Sequence, residues 1–294
     1  MTVKIDELKS YLTEIQKLTD SLLEKYLPSI ETQPQTLHQA MRYSVMAGGK
    51  RLRPILAYST YKYCSGNTEG ENLPIHYAMA ALEMVHTYSL IHDDLPCMDD
   101  DDLRRGNPTC HIKFGDAAAV LAGDALHDIA FEMLAQTGSI KVVEELSQAI
   151  GTKGMIGGQI ADVEAEGKDV TKDDIINIHK RKTGALIRSS VRIGAILADA
   201  SDELLKKLTF FGEKIGLAFQ IIDDILDIEG DEKLLGKNVG SDSDNQKATY
   251  PKAVGMNVAK EDAAILIGEA VSVFESFEDN ILKLLADYIA QRKK

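Results

Sequence analysis

The chain of 294 residues has no tryptophan, 7 prolines and an aromatic content of only 6%. So few prolines leave long stretches without the residue that breaks a helix outright. Cysteine is scarce too: Cys64, Cys97 and Cys110 cannot all pair, and three fall far short of a disulfide framework, so they read as reduced thiols. No stretch approaches the ~18 uninterrupted apolar residues of a membrane span. The opening MTVKIDELKS lacks the basic region and apolar run of a secretory leader, so a cytoplasmic chain is expected. Positive charge is in deficit, with 33 Lys+Arg against 46 Asp+Glu and a formal charge of −13. That balance argues against nucleic acid or an anionic membrane as the main partner. Walker-type and G-x-G-x-x-G phosphate loops are missing, as are internal repeats.

What is present is 44% apolar and 27% charged, the composition of a globular chain with a sizeable core. Ile5, Leu8, Leu12, Ile15, Leu18 and Leu22 recur at gaps of three and four, which predicts an amphipathic first helix ending before Pro28. Further helical patterns run at 34–46, 54–64, 74–94, 116–136, 140–157, 171–200, 202–229, 260–276 and 279–292. No linker composition divides the chain, so one all-α domain over 1–294 is expected, a bundle of about ten or more helices around a central cavity. The polar connections at 95–115 and 232–250 carry the least helical pattern, and long connections in compact domains are more often functional than not.

The first chemical feature is HDDLPCMDDDDLRRG, in which Asp93, Asp94 and Asp99 to Asp102 crowd six carboxylates before Arg104 and Arg105. Such crowding is unfavourable unless water or a cation neutralises it, and a solvated acidic loop is the plain alternative. The second is IIDDILD: Asp223 and Asp227 lie one helical turn apart in apolar company, with Asp224 flanking and Gln220 one residue before Ile221. Oxygen-only clusters of this kind suit a hard cation, Mg²⁺ when phosphates complete its shell. The EF-hand spacing of calcium loops is absent, and His92, Cys97, Cys110 and His111 do not match a zinc signature. The third feature, GGKRLRP, offers Gly48 and Gly49 for close backbone approach and Lys50, Arg51 and Arg53 for phosphate oxygens.

These motifs, with GGQIADVEAEG, HKRKTGAL and LGKNVGSDSDNQKATYP following in order, resemble the trans-prenyl diphosphate synthases over nearly the whole chain, and among them the bacterial farnesyl diphosphate synthases. The resemblance implies a magnesium-dependent prenyltransferase and a homodimer. An enzyme of this kind would condense isopentenyl diphosphate with dimethylallyl and geranyl diphosphate to give farnesyl diphosphate. It also implies roles by position. Asp93, Asp94 and Asp99, with Asp223, Asp224 and Asp227, would hold the metal directly or through water. Arg104, Lys182, Lys237 and Lys247 would hold the allylic diphosphate, and Lys50, Arg53, His86 and Arg105 the isopentenyl diphosphate. Thr183 and Gln220 would face the developing cation, with Gly49, Gln159 and Asp162 in support. The released diphosphate is the implied proton acceptor, so no side-chain base is assigned.

Other readings stay open at single positions: His86 as a hydrogen-bonded core histidine, and Lys182 as part of a solvated run. The terminal Arg292, Lys293 and Lys294 either fold over a diphosphate or fray as a basic end. Tyr88, five residues before Asp93, is the candidate floor that stops the product at fifteen carbons. On an ideal helix it stands about 140° away from Asp93, whereas Ser89 is better aligned. The alternatives are a geranylgeranyl diphosphate synthase or, from another class, a non-catalytic helical subunit.

Overall fold

The computed structural model describes residues 2–66, 70, 73–229, 248–274 and 280–292. The chain forms two compact units, one from Met1–Tyr58 with Thr68–Ile140 and one from Ser59–Asn67 with Lys141–Lys294.

In the first unit, α1 (Thr2–Tyr26) stops two residues before Pro28, and α2 (Gln35–Val45) and α3 (Leu52–Ser65) follow, α3 giving its last turns to the second unit. The central element is α4 (Pro74–Asp93), started by a proline whose missing N–H costs nothing at that position. Ile75, Ala78, Met79, Ala80, Ala81, Leu82, Met84 and Val85 are all fully buried, so this helix is covered around most of its girth. The 95–115 connection is not structureless: it holds an antiparallel hairpin, β1 (Leu103–Arg104) with β2 (Asn107–Pro108), and the short α5 (Cys110–Phe114). Then α6 (Asp116–Gln136) packs along α4. A Cβ at Gly123 would stand 2.1 Å from the His92 ring, so a glycine there permits the close approach.

The second unit contains α7 (Ile140–Ile150) from Lys141 onward, α8 (Met155–Ala165), α9 (Lys172–His179), a π-helical turn (Lys180–Gly184), α10 (Ala185–Leu197) and α11 (Asp202–Glu229). It ends with α12 (Tyr250–Val254), α13 (Met256–Ser272) and α14 (Ile281–Ala290). Two expectations change here. The single helix predicted over 140–157 is broken at Gly151–Gly154, where a Cβ on Gly154 would stand 1.9 Å from the Ala149 carbonyl. The helix predicted over 171–200 contains the π turn, a local widening found disproportionately at functional sites. It starts at Thr171, whose hydroxyl and main-chain N–H exchange bonds with Asp174 in a capping box. Lys237 and Lys247 lie outside the described residues, as do Lys293 and Lys294.

Candidate active site

In the first unit, α4 carries the first acidic motif on its last turn. Beyond Asp93 the chain folds back on itself: Asp99 N–H donates to the Asp93 carbonyl at 2.8 Å, and Asp100 N–H to Leu95 at 3.2 Å. Asp99 is therefore set beside Asp93 by the main chain, with both side chains half-buried. Asp94 is buried instead, and accepts from Arg104 Nε at 2.6 Å as well as from the same guanidinium's Nη2. Burial pushes its carboxyl up and Arg104 pulls it down, the balance remaining above the ordinary range. Arg104 also reaches Asp101 at 3.2 Å, so it spans two carboxylates of the motif.

Near this motif a set of cations collects. Gly48 and Gly49 adopt φ of +86° and +137°, and a Cβ on Gly49 would stand 2.8 Å from Arg105 Nη2. The glycine pair thus lets the Arg105 guanidinium close on the Gly48 carbonyl, to which it donates. Half-buried His86 is held well below its ordinary pKa, first by desolvation and then by Arg53, Arg105, Arg104 and Arg51. It stays neutral among guanidinium groups, which marks a region of positive potential that a polyanion would satisfy. Lys50 is half-buried in the loop between Gly49 and Arg51.

Arg51 belongs elsewhere. It was grouped with the phosphate-binding side chains, yet it is 2% exposed and spends its donors inside the fold. Nε meets Asp20 at 2.9 Å, Nη1 meets Glu83 at 2.7 Å and Nη2 meets the Val45 carbonyl at 2.8 Å. Glu83, also 2% exposed, escaped the sequence reading because a carboxylate in a buried apolar helix gives no spacing signal. Tyr88 is buried between α4 and α6, edge-on to His92 and His127 with ring centroids 5.7 and 5.3 Å apart. Burial and then the Asp93 charge push its phenol up to about 12. Ser89 turns its hydroxyl back to the His86 carbonyl at 2.9 Å.

In the second unit, three glycines bring the polar residues together. A Cβ on Gly158 of α8 would stand 2.2 Å from Lys182 N, and one on Gly216 of α11 would stand 2.9 Å from the Gly184 Cα. At those close crossings Lys182 Nζ meets Asp162 at 2.5 Å, one turn beyond half-buried Gln159. Thr183 Oγ1 donates to Gln220 Oε1 at 2.7 Å, and Gln220 Nε2 donates to Asp224 Oδ1 at 3.0 Å. The second oxygen of Asp224 accepts from the main-chain N–H of Tyr250 at 2.7 Å and lies 3.3 Å from His179 Nε2. Asp223 points elsewhere, to Arg292 Nη2 at 3.0 Å, and that guanidinium stacks 4.0 Å above the Phe219 ring. Asp227, one turn on from Asp223, is buried. His179 and Tyr250 were missed by the sequence reading; the available signals were HKRKT at the end of one helix and TYP at the start of another.

Among the described residues no three His, Cys, Asp or Glu side chains already gather in metal-binding geometry. The donor chemistry of each unit still fits a hard divalent cation: in the first, Asp93 and Asp99 are partly accessible aspartates joined by a main-chain bond, and in the second, Asp223 is a partly accessible aspartate on α11.

Helices throughout, acidic motifs on α4 and α11, and a cationic pocket define an all-α enzyme of the isoprenoid-synthase fold. The polyprenyl synthetase family model matches residues 34–287. Farnesyl diphosphate synthase of Bacillus subtilis is 44% identical over 297 residues, covering 98% of this chain and 99% of its own length. That of Escherichia coli is 44% identical, covering 95% and 96%. A crystal structure of geranylgeranyl pyrophosphate synthetase from Pyrococcus horikoshii superposes with a TM-score of 0.85 at 32% identity, covering 98% and 99%. The chain belongs to the polyprenyl synthetase family and is a prenyltransferase. No described helix is long and apolar enough to cross a membrane.

Proposed function

We infer that the chain joins isopentenyl diphosphate head to tail with dimethylallyl and then geranyl diphosphate, releasing diphosphate and ending at farnesyl diphosphate. The observation that carries this reading is half-buried His86 in the field of Arg53 and Arg105, just before the first acidic motif, with Gly49 leaving room for the Arg105 guanidinium. That pocket calls for a polyanion with no metal of its own, whereas the carboxylates of Asp93, Asp99 and Asp223 call for one shielded by cations. Two differently bound diphosphates are what the condensation needs.

The allylic C–O bond breaks with its electron pair on the leaving diphosphate. The isopentenyl double bond attacks the allylic carbon, and a proton passes from the adduct to the released diphosphate. Lys50, Arg53, His86 and Arg105 hold the isopentenyl diphosphate by charge-assisted hydrogen bonds. Arg104 and Lys182, kept in place by Asp94 and Asp162, meet the allylic diphosphate as its charge grows. Lys237 and Lys247 complete that set in this reading. Thr183 and Gln220 turn oxygen dipoles toward the allylic carbon. Asp93, Asp99 and Asp223, with Asp224 and Asp227 in support, would hold magnesium, which would supply Lewis-acid neutralisation of the leaving group. Tyr88 blocks growth beyond fifteen carbons, and Ser89 sits beside it. The reading includes one catalytic domain, a homodimer and a cytoplasmic location.

The test is incubation with isopentenyl diphosphate and dimethylallyl, geranyl or farnesyl diphosphate, with magnesium or EDTA, reading product length by mass spectrometry. Fifteen-carbon product from the two shorter starters, magnesium-dependent, is expected. A twenty-carbon product would make the chain a geranylgeranyl synthase, the activity named for the Pyrococcus relative. No condensation with any starter would point to a non-catalytic subunit.

A further inference from the structure

Asp224 stands in an acidic motif but behaves differently from its neighbours. Its side chain is buried, and its two oxygens are divided among groups from three elements. Oδ1 takes the amide N–H of Gln220 on α11 itself, and Oδ2 takes the N–H that opens α12 and faces His179 at the end of α9. Beyond Gln220 the chain of bonds continues to the Thr183 hydroxyl in the π turn. An amide has two ends that differ only in hydrogen bonding, so its orientation is decided by what its N–H₂ finds. Here the N–H₂ is claimed by Asp224, and the carbonyl is left to accept from Thr183.

We propose that His179 and Tyr250 are positioning residues for the condensation: by holding Asp224 they fix the Gln220 amide, and through it the direction in which Thr183 presents its remaining lone pairs. The inference rests on the reading that Thr183 and Gln220 face the reacting carbons. Tyr250 is well suited to the part, because its ring stacks on His179 with centroids 6.2 Å apart and its hydroxyl donates to Asp262 at 2.8 Å. Asp262 is shared with Lys172 Nζ at 2.7 Å, so α9, α12 and α13 are tied at one point. His179 is 5% exposed and meets Asp224 at 3.3 Å, the contact through which its effect is exerted.

The experiment compares wild type, His179→Leu and His179→Gln, the last retaining an amide N–H₂ near the place of Nε2. With geranyl and isopentenyl diphosphate, His179→Leu is expected to lose about tenfold in kcat, both KM values staying within about twofold, because misdirected dipoles weaken the transition state and not the binding. The share of geranyl diphosphate diverted to the alcohol should rise, since a less stabilised cation is captured by water more often. His179→Gln should recover most of the rate. In the double variant with Thr183→Val, the His179→Leu effect should shrink to under about threefold, as both act on one unit. A crystal structure of His179→Leu gives a readout independent of activity: Thr183 Oγ1 and Gln220 Oε1 are expected to separate beyond about 3.5 Å. An unchanged Thr183–Gln220 bond, a loss confined to KM, or multiplicative effects of the two substitutions would each overturn the proposal. A wild-type protein that makes no farnesyl diphosphate would instead refute the proposed reaction, leaving the crystallographic comparison to judge the positioning.

Discussion

Removing the carboxylate of Glu83 is expected to cost about 3 kcal/mol of stability and to weaken isopentenyl diphosphate binding selectively. Arg51 and Glu83 are each 2% exposed and 2.7 Å apart, so the pair has almost no water to replace a lost partner. Burial works against the Arg51 charge, but Glu83 and then Asp20 outweigh it and hold its pKa above the ordinary value. Losing one member of such a pair costs ~3–5 kcal/mol, most of it from stranding the other charge. Here Arg51 would keep Asp20 at 2.9 Å and the Val45 carbonyl at 2.8 Å, which places Glu83→Ala at the low end. Glu83→Gln retains an acceptor and should cost about half as much. Asp20→Ala, whose side chain is 47% exposed, should cost about 1 kcal/mol or less. Urea unfolding followed by circular dichroism gives the order directly. Arg51 sits at φ +51° between Lys50 and Arg53, so loosening it should raise KM for isopentenyl diphosphate more than for the allylic substrate. A Glu83→Ala cost below about 1 kcal/mol, or equal costs for Glu83 and Asp20, would refute the reasoning.

Tyr88→Ala should lengthen the product to twenty carbons or more by mass spectrometry; an unaltered distribution removes Tyr88 as the floor. Arg292→Ala should lower the half-saturating magnesium concentration about fivefold, because it frees Asp223 from an ion pair worth about 1 kcal/mol. Titration with diphosphate present measures this, and an unchanged midpoint would show that the pair does not compete with the metal. Burial first and the nearby arginines second lower the His86 pKa, and a diphosphate bound at Arg53 and Arg105 would offset the arginines' share, so binding should raise that pKa and take up protons. Isopentenyl diphosphate should then bind more tightly as pH falls toward the raised, substrate-bound pKa of His86. Calorimetry in two buffers of different ionisation enthalpy reads the uptake, and none at pH 6 would remove His86 from the pocket.

Long, strongly periodic helices were legible in the sequence: α6 and α11 begin and end at the predicted residues. What failed was where glycine or backbone geometry overrides periodicity. The Gly151–Gly154 break between α7 and α8 and the π turn at Lys180–Gly184 both lie inside stretches whose flanking apolar periodicity predicts a single helix. The short hairpin at Leu103–Pro108 is too brief for any period to register. Among the candidate residues, the acidic spacing singled out Asp93, Asp99 and Asp223, and the family resemblance singled out Lys182, Thr183 and Gln220, each within a dense local pattern. Spacing could not tell Arg51 from Arg53, two positions apart in GGKRLRP, since only tertiary burial separates a structural guanidinium from a ligand-binding one. Nor could it assign Asp224, whose partners His179 and Tyr250 come from distant positions in the chain.

The fold-back after α4 has a practical side. Because Asp99 is fixed by its main-chain bond to Asp93, the side chains of Pro96, Cys97 and Met98 stand exposed with little to hold in place. Burial pushes the Cys64 thiol up to about 11 and also raises that of Cys110, whereas Cys97 is open to solvent. A thiol-directed fluorophore would therefore attach at Cys97 in the unmodified protein. It would sit between two acidic residues of the first motif, as a built-in reporter of when that loop receives its cations and substrate.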